Sequence, residues 1–234
     1  TGYDLSKLVA GSFGTLVALT EITLKVLPKK KLSNTITIHT ENTKLVNELF
    51  EKISGSSQEI SGAVFIPEEP EDKSYDHNKE MVFKFNDLTS KGSFLALRIE
   101  GDKISIDEKI KALTDELSLD KLNSTILDFY QSVPFWKKIN NLELFKATKN
   151  NLLRVVIPPS KGNKLMQYLS NKYKYYVDWC GSLYWIEIQS KKNTKVREIK
   201  NIIKELEGYL TIIKTSDEYD YEETIFTVDS TRLL

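Results

Sequence analysis

The chain has 234 residues, and its 33 lysine and arginine residues balance 33 aspartate and glutamate residues. With 40% hydrophobic and 28% charged residues, the composition is that of a folded globular protein and not of a disordered chain. A net charge of zero argues against nucleic acid as a partner, because modules that bind phosphate backbones carry a basic excess or a basic face.

The first thirty residues predict a short helix, a glycine turn and a strand. A helix is predicted over residues 4–10, and Gly11 suits its end because glycine readily adopts the left-handed backbone found there. Residues 11–14 then form a tight loop. The second half of residues 16–27 alternates apolar and polar side chains, which is typical of a half-buried strand that ends at Pro28. Because the chain opens directly in patterned sequence, we expect it to begin part-way through a domain.

The next segment, about residues 32–121, predicts the first of two similar halves. Its order is β-α-β-β-β-α, or β-α-β-β-α if the strand over residues 81–85 is a marginal edge element. Thr40 is the expected N-cap of the first helix. The predicted elements are strand 35–39, helix 44–53, strand 60–66, an acidic loop over 67–78, strands 81–85 and 93–100, and helix 106–117.

A connecting stretch over residues 122–144 is rich in aromatic side chains. Pro134 interrupts its helical period, so two short helices or a helix and a loop are predicted here in place of one continuous helix.

The second half, about residues 150–215, has the order β-α-β-β-α-β of a ferredoxin-like unit. Two such units side by side predict one continuous antiparallel sheet with helices on one face, in an α+β fold. The acidic residues 216–234 are expected to be exposed. The predicted elements are strand 152–157, helix 161–170, strand 173–179, a turn at Cys180-Gly181, strand 182–188, helix 196–206 and strand 209–214.

The cysteine and histidine counts limit the chemistry. The single Cys180 cannot form an internal disulfide, and with only His39 and His77 the sequence excludes a Cys/His metal cluster. The mainly apolar residues 5–27 are interrupted by charges and cannot span a bilayer. We therefore expect a protein of a reducing compartment, the cytoplasm, with no metal site and no transmembrane segment.

An ordered set of motifs in residues 1–30 resembles a known family. The motifs are Gly2-Tyr3-Asp4-Leu5, Gly11-Ser12-Phe13-Gly14-Thr15-Leu16, Thr20-Glu21 and Leu24-Lys25-Val26-Leu27-Pro28. Together they resemble the closing segment of the flavin-binding domain in the FAD-linked oxidase family, the vanillyl-alcohol-oxidase or PCMH type. Later landmarks resemble the FAD-binding subunits of bacterial glycolate oxidases within that family, namely Ile60-Ser61-Gly62, residues 95–101, Phe135-Trp136, residues 153–159 and residues 177–181.

The resemblance implies a fold and a function. Residues 1–31 would close a PCMH-type FAD-binding domain, and residues 32–234 would form the FAD-linked oxidase cap domain. The implied activity is the FAD-dependent oxidation of glycolate or a related 2-hydroxy acid to the 2-oxo acid. The implied partners are a second flavoprotein subunit and an iron–sulfur subunit, through which the chain would associate with the membrane.

The resemblance also implies that the cofactor-binding residues are Gly11, Ser12, Gly14, Thr15 and Leu19. Their chemistry agrees with this role, since glycines let the backbone approach a dinucleotide and hydroxyl groups add hydrogen-bond donors. In the family the first half of the flavin domain precedes these motifs, so this chain alone is expected to bind FAD poorly or not at all.

The residues and the resemblance leave several alternatives open. Val17, where the family usually has glycine, favours a non-catalytic interaction module with a vestigial flavin segment. A nucleic-acid-binding ferredoxin-like protein is disfavoured by the charge balance. Trp179 and Trp185 are expected to pack into the sheet core, Cys180 to be an inert apolar residue, and Arg154 either to form a surface ion pair or to meet a substrate or partner. No residue is assigned as a catalytic base.

Overall fold

The computed structural model describes residues 4–12, 14–68, 92–146, 148–189 and 194–217. The predicted strand over residues 81–85, most of the predicted acidic loop and nearly all of the predicted exposed tail lie outside these residues. His77 and Phe13 lie outside them as well.

Six α-helices, eight strands and four short 3-10 helices make up the regular structure of the described residues. The helices are α1 Leu5–Val9, α2 Thr43–Gly55, α3 Lys103–Leu117, α4 Phe129–Asn140, α5 Gly162–Leu169 and α6 Thr194–Glu205. The strands are β1 Leu32–His39, β2 Ile60–Ile66, β3 Phe94–Gly101, β4 Ser124–Leu127, β5 Asn151–Val156, β6 Lys174–Asp178, β7 Leu183–Ile188 and β8 Tyr209–Lys214. None of these helices is long and apolar enough to cross a membrane.

All eight strands belong to one antiparallel sheet with the order β4-β1-β3-β2-β6-β7-β5-β8. Strands β1 to β4 and strands β5 to β8 each form a β-α-β-β-α-β unit with the same internal order. The units meet at β2 and β6, where Phe65 pairs with Val177. The predicted α+β fold with two ferredoxin-like halves in one continuous sheet is confirmed.

The fourth strand of the first unit was not predicted. Strand β4 has four residues, pairs with β1 at the sheet edge, and buries only Leu127. A short, mostly exposed edge strand has almost no alternating pattern of apolar and polar residues. The sequence of β4 therefore does not distinguish it from the helical connection that follows.

Helix α4 overturns the prediction of a break at Pro134. The proline removes the N–H that would bond to the carbonyl of Tyr130, yet one helix runs from Phe129 to Asn140. Its start is fixed by a capping box in which Asp128 accepts from the Gln131 N–H and Gln131 accepts from the Asp128 N–H. One face of the helix is buried against the sheet, which outweighs the lost hydrogen bond. The residues of that face are Ser132, Phe135, Trp136 and Ile139.

The sheet carries a hydrophobic core on each face. The larger core lies under α2, α3, α5 and α6 and includes residues from both units. The smaller core lies on the opposite face under α4, where Trp136 Nε1 donates to Thr35 Oγ1 at 2.9 Å. The expectation of helices on one face only is therefore wrong, because α4 covers the second face over the first unit.

The predicted strand over residues 16–27 is also wrong for the described structure. These residues are exposed and pair with no described strand, although their alternating pattern is typical of a strand.

The N-cap of α2 differs from the prediction as well. It is Asn42, whose side chain accepts from the N–H groups of Lys44 and Leu45, while Thr40 accepts from the Asn42 N–H.

Gly208 provides a test of the close packing between α6 and the sheet. A Cβ at this position would lie 2.5 Å from Ile157 Cγ2, 2.8 Å from the Val156 carbonyl oxygen and 2.9 Å from Ile203 Cγ2. We expect Gly208→Ala to lower the free energy of unfolding by about 1–3 kcal/mol, as overpacking of a core does. Urea denaturation measures the change.

The matched control is Gly55→Ala. A Cβ at Gly55, the last residue of α2, meets nothing within 4 Å, and alanine favours the helix. Equal free energies of unfolding for the Gly208→Ala variant and the unsubstituted protein would contradict the packing described here.

Candidate functional site

The loop after α1 holds four of the five residues predicted to bind a cofactor. Gly11 and Gly14 have φ values of +80° and +74°, a region that glycine adopts without strain. The loop is closed at Ser12, whose carbonyl accepts both the Thr15 N–H at 3.0 Å and the Thr15 hydroxyl at 2.6 Å. These contacts give the loop a defined shape.

The glycine side of this loop is open for a ligand to approach. A Cβ at Gly11 or Gly14 would meet nothing within 4 Å, and the N–H groups of both residues bond to no described residue. The hydroxyl of Thr15 is already used inside the loop, so the donors left for a ligand are these N–H groups and the hydroxyl of Ser12. The open backbone fits the close approach that a dinucleotide needs. The assignment of these residues to a cofactor stays a prediction.

Leu19, the fifth predicted residue, lies in a segment whose large apolar side chains are exposed. Leu19 itself is 56% exposed. Apolar side chains of this kind become buried when a segment pairs with a sheet or docks on a partner, so these residues have an apolar surface that nothing described covers. The exposed apolar residues of the segment are Leu16, Val17, Leu19, Ile22, Leu24, Val26 and Leu27, and Leu5 and Leu8 of α1 are exposed as well.

A second group of residues lies on the sheet face opposite α2, α3, α5 and α6. In the second unit, Arg154 on β5, Trp185 on β7 and Tyr176 on β6 are neighbours in register and point to this face. Asp178 follows two residues after Tyr176 and points the same way. Helix α4 packs on this face over the first unit, and with the turn after it also covers Tyr176, whose hydroxyl donates to the Ile139 carbonyl at 3.3 Å and whose ring stacks on Phe145 at 5.7 Å. We call the remaining part, around Arg154, Asp178 and Trp179, the open face.

Trp179, directly after β6, stands at the rim of the open face and is 58% exposed. Trp179 and Cys180 both have φ of +50°, and Gly181 has +89°. Two non-glycine residues in this region carry strain that the surroundings must offset. The Asp178 carboxylate accepts from the Trp179 N–H at 2.8 Å, and the Ser182 hydroxyl donates to the Trp179 carbonyl at 2.7 Å.

The expected packing of Trp179 into the core is therefore wrong, since the left-handed turn directs its ring outwards. Trp185 is half-buried and packs against the smaller core, as predicted. Cys180 packs against the larger core, and burial raises the pKa of its thiol. A raised pKa disfavours the reactive thiolate, which agrees with the inert role expected of this cysteine.

Two arginines differ sharply in how they are held. Arg98 on β3 donates from Nε to the Ser61 hydroxyl at 2.9 Å and from Nη2 to the Ser61 carbonyl at 2.8 Å. Its Nε lies 3.6 Å from Glu100, and its guanidinium lies 4.9 Å from the Trp136 ring centroid. Gly62 leaves room for this pair, because a Cβ there would lie 3.1 Å from the Trp136 ring. The Arg98 guanidinium is thus held by hydrogen bonds, a carboxylate and an aromatic ring of the chain itself.

The Arg154 guanidinium, in contrast, lies 5.4 Å from the Trp179 ring centroid and donates no hydrogen bond to any described residue. It is half-buried. The sequence singled out Arg154 and Trp179, but not Arg98 or Asp178. The sequence does mark Arg98, because a charged side chain within the apolar strand residues 95–99 indicates a buried charge with a specific partner.

Burial raises the pKa of Asp178 from its usual 3.8, against the opposing effects of the Trp179 N–H and the Arg98 charge. The open face thus combines a cation, a carboxyl group and the exposed ring of Trp179. In the described part of the chain, no three His, Cys, Asp or Glu side chains gather as metal ligands.

Comparison with known proteins finds similarity in both sequence and fold. No family model matches the chain. It is 24% identical over 217 residues to the glycolate oxidase subunit GlcE of Escherichia coli (strain K12), an alignment that covers 92% of this chain and 48% of that protein. The chain thus spans about half the length of this curated relative. The resemblance to glycolate oxidase subunits is confirmed.

Among solved structures, an alkyldihydroxyacetonephosphate synthase is similar, with a TM-score of 0.50 and 16% identity. The match covers 89% of this chain and 45% of that one. The similarity therefore extends over nearly all of the fold, and it shows the fold alone.

Asp178 allows a test of the electrostatics at the open face. Because burial raises its pKa in the folded state, the stability linked to its protonation is present below the unfolded pKa and is lost as the pH rises through the folded pKa. Asp178→Asn does not titrate and keeps an oxygen for the Trp179 N–H. We expect the variant to gain free energy of unfolding relative to the unsubstituted protein as the pH rises from below 3.8 to neutrality.

Urea denaturation at several pH values measures this difference. Asp120→Asn, which changes an exposed carboxylate, is the matched control. If the free energy of unfolding of Asp178→Asn, relative to the unsubstituted protein, stays constant or falls with rising pH, burial does not destabilise the charged form of Asp178.

Proposed function

We propose that this chain is part of the FAD-binding subunit of a glycolate oxidase, an FAD-dependent oxidoreductase that converts glycolate or a related 2-hydroxy acid to the 2-oxo acid. The observation that carries the proposal is the similarity to GlcE over 92% of the chain. The fold and the open glycine loop support it.

FAD is the cofactor of this function and supplies the acceptor for the hydride that leaves the hydroxyl-bearing carbon. The chain's own contribution is to bind and orient it. The N–H groups of Gly11 and Gly14 and the hydroxyl of Ser12 offer donors to cofactor oxygens, while Thr15 holds the loop in shape. The backbone at Leu19 would contact the cofactor as well.

Residues 1–31 belong to the closing segment of a PCMH-type flavin domain, and residues 32–234 form its cap. The exposed side chains of Ile22, Leu24 and Val26 alternate along the segment, as one face of a strand does. In the whole protein this segment would form a strand that pairs within the flavin domain and buries that face.

The proposed partners are a second flavoprotein subunit and an iron–sulfur subunit that receives the electrons. The name of the relative, a subunit of glycolate oxidase, supports an assembly of this kind. The chain acts in the cytoplasm and reaches the membrane through these partners.

A test of the cofactor loop uses the product of the complete gene, in which the flavin content is measured from the visible absorption bands. We expect Gly14→Val to lower the flavin content several-fold, because a β-branched residue is strained at a φ of +74° and fills the open side of the loop.

Gly55→Val is the matched control, since it makes the same chemical change at a position with open space and an ordinary φ. Equal flavin contents in the Gly14→Val and Gly55→Val proteins would remove the loop from the cofactor site. A folded protein that contains no flavin even without substitution would favour the interaction module instead.

A further inference from the structure

The outer edge of β4 is not paired within the described part of the chain. Strand β4 is the last strand of the sheet and bonds there to β1 alone. The His39 N–H donates to the Asn123 carbonyl at 2.8 Å, directly before β4. Because hydrogen-bonded pairs alternate along an antiparallel ladder, Thr125 also bonds towards β1, and the backbone groups of Ser124 and Ile126 point away from it. These N–H and C=O groups are available to a further strand.

This edge has little protection against pairing with another chain. Natural sheet edges are protected by a short length, a lysine, a proline or a bulge, and of these β4 has only its short length. Ile126 is 51% exposed, although it lies opposite Ile36, which is buried in the larger core. The edge therefore presents an apolar side chain as well as unpaired backbone groups.

A groove with a volume of about 410 Å³ lies beside this edge, between β4 and α3. Ser124 and Ile126 point to the α3 side of the sheet, because cross-strand partners share a face and both residues lie opposite core residues of β1. A strand added to β4 would carry one of its side chains next to this groove, as in other cases of strand addition. The apolar side chains that line the groove are Ile36, Ile110, Leu119, Leu122 and Ile126.

We propose that the outer edge of β4 pairs with the same edge of a second copy of this chain, in an antiparallel contact with two-fold symmetry. The register that uses the outward groups of Ser124 and Ile126 in both copies places Ser124 of one copy opposite Ile126 of the other. A small side chain then faces a large one, and each Ile126 lies beside the groove of the other copy. The two sheets become one continuous sheet across the contact.

The charges at the two ends of the edge favour a second copy in this orientation. The exposed Lys121 precedes the edge and forms no ion pair with a described residue, and the exposed Asp128 follows the edge. In the proposed register Leu122 lies opposite Asp128 of the second copy, so that Lys121, the adjacent residue, is within reach of that carboxylate. The two-fold axis repeats the contact. A parallel arrangement would place like charges side by side, which is unfavourable.

The first experiment measures the sedimentation of the complete gene product over a series of concentrations. We expect a reversible, concentration-dependent dimer, because the contact is limited to one short strand and its groove. Ile126→Pro removes an N–H that points to the open edge and spares the bonds to β1, so it should weaken the dimer by about tenfold or more.

Lys121→Glu tests the charge pairing without changing the edge itself. It places two negative charges together at both ends of the contact and should weaken the dimer by about tenfold or more. Lys52→Glu makes the same change at an exposed position on α2 and is the matched control. This control should dimerise as the unsubstituted protein does.

Amide hydrogen exchange locates the contact on β4. The N–H groups of Ser124 and Ile126 should exchange more slowly as the protein concentration rises, because they bond only in the dimer. The N–H of Thr125, which faces β1, should exchange at a rate that does not depend on the concentration. Exchange at Ser124 and Ile126 that is equally independent of the concentration would overturn the proposal.

Two results of the sedimentation experiment would overturn the proposal as well. The first is a complete gene product that stays monomeric at its highest soluble concentration. The second is a dimer that neither Ile126→Pro nor Lys121→Glu weakens, since such a dimer would use another surface. Should Ile126→Pro fail to fold by circular dichroism, Lys121→Glu and the exchange at Ser124 decide. None of these measurements involves flavin or glycolate, so their outcome is independent of the proposed function.

Discussion

The pairing of β2 with β6 is the contact on which the rest of the structure depends. It makes one sheet from two ferredoxin-like units, and the larger core then runs across the junction with residues from both. Helices α2 and α5 meet over the junction, where the Thr43 hydroxyl donates to Asn163 at 3.0 Å. Burying one core instead of two gives each unit more apolar contact than it would have alone.

The same junction shapes the open face. Phe50 on α2, in the first unit, lies so close to Gly181 in the second that a Cβ there would be 3.2 Å from its ring. The left-handed turn that exposes Trp179 is thus held from below by the other unit. Helix α4 supplies an asymmetry, since it covers the second face over the first unit and, with the turn after it, only part of that face over the second unit. The turn at the rim of the open face therefore depends on both units.

The sequence allowed the prediction of elements whose pattern is set by their own side chains, such as the amphipathic helix α2 and the strands β5 to β7. It did not predict features that depend on distant partners. Strand β4 exists because β1 lies beside it, and α4 tolerates Pro134 because the sheet buries its apolar face. Arg154 was singled out from the sequence, but its stacking on Trp179 depends on the left-handed turn that directs the Trp179 ring outwards.

The most direct test of the central claim, an FAD-dependent oxidation of a 2-hydroxy acid, is the anaerobic addition of glycolate to the complete gene product assembled with its partner subunits. We expect the visible flavin bands to bleach on addition of glycolate and to stay unchanged with acetate, which lacks the hydroxyl group to be oxidised. Flavin bands that persist with both acids in a folded, assembled complex would contradict the proposed oxidation.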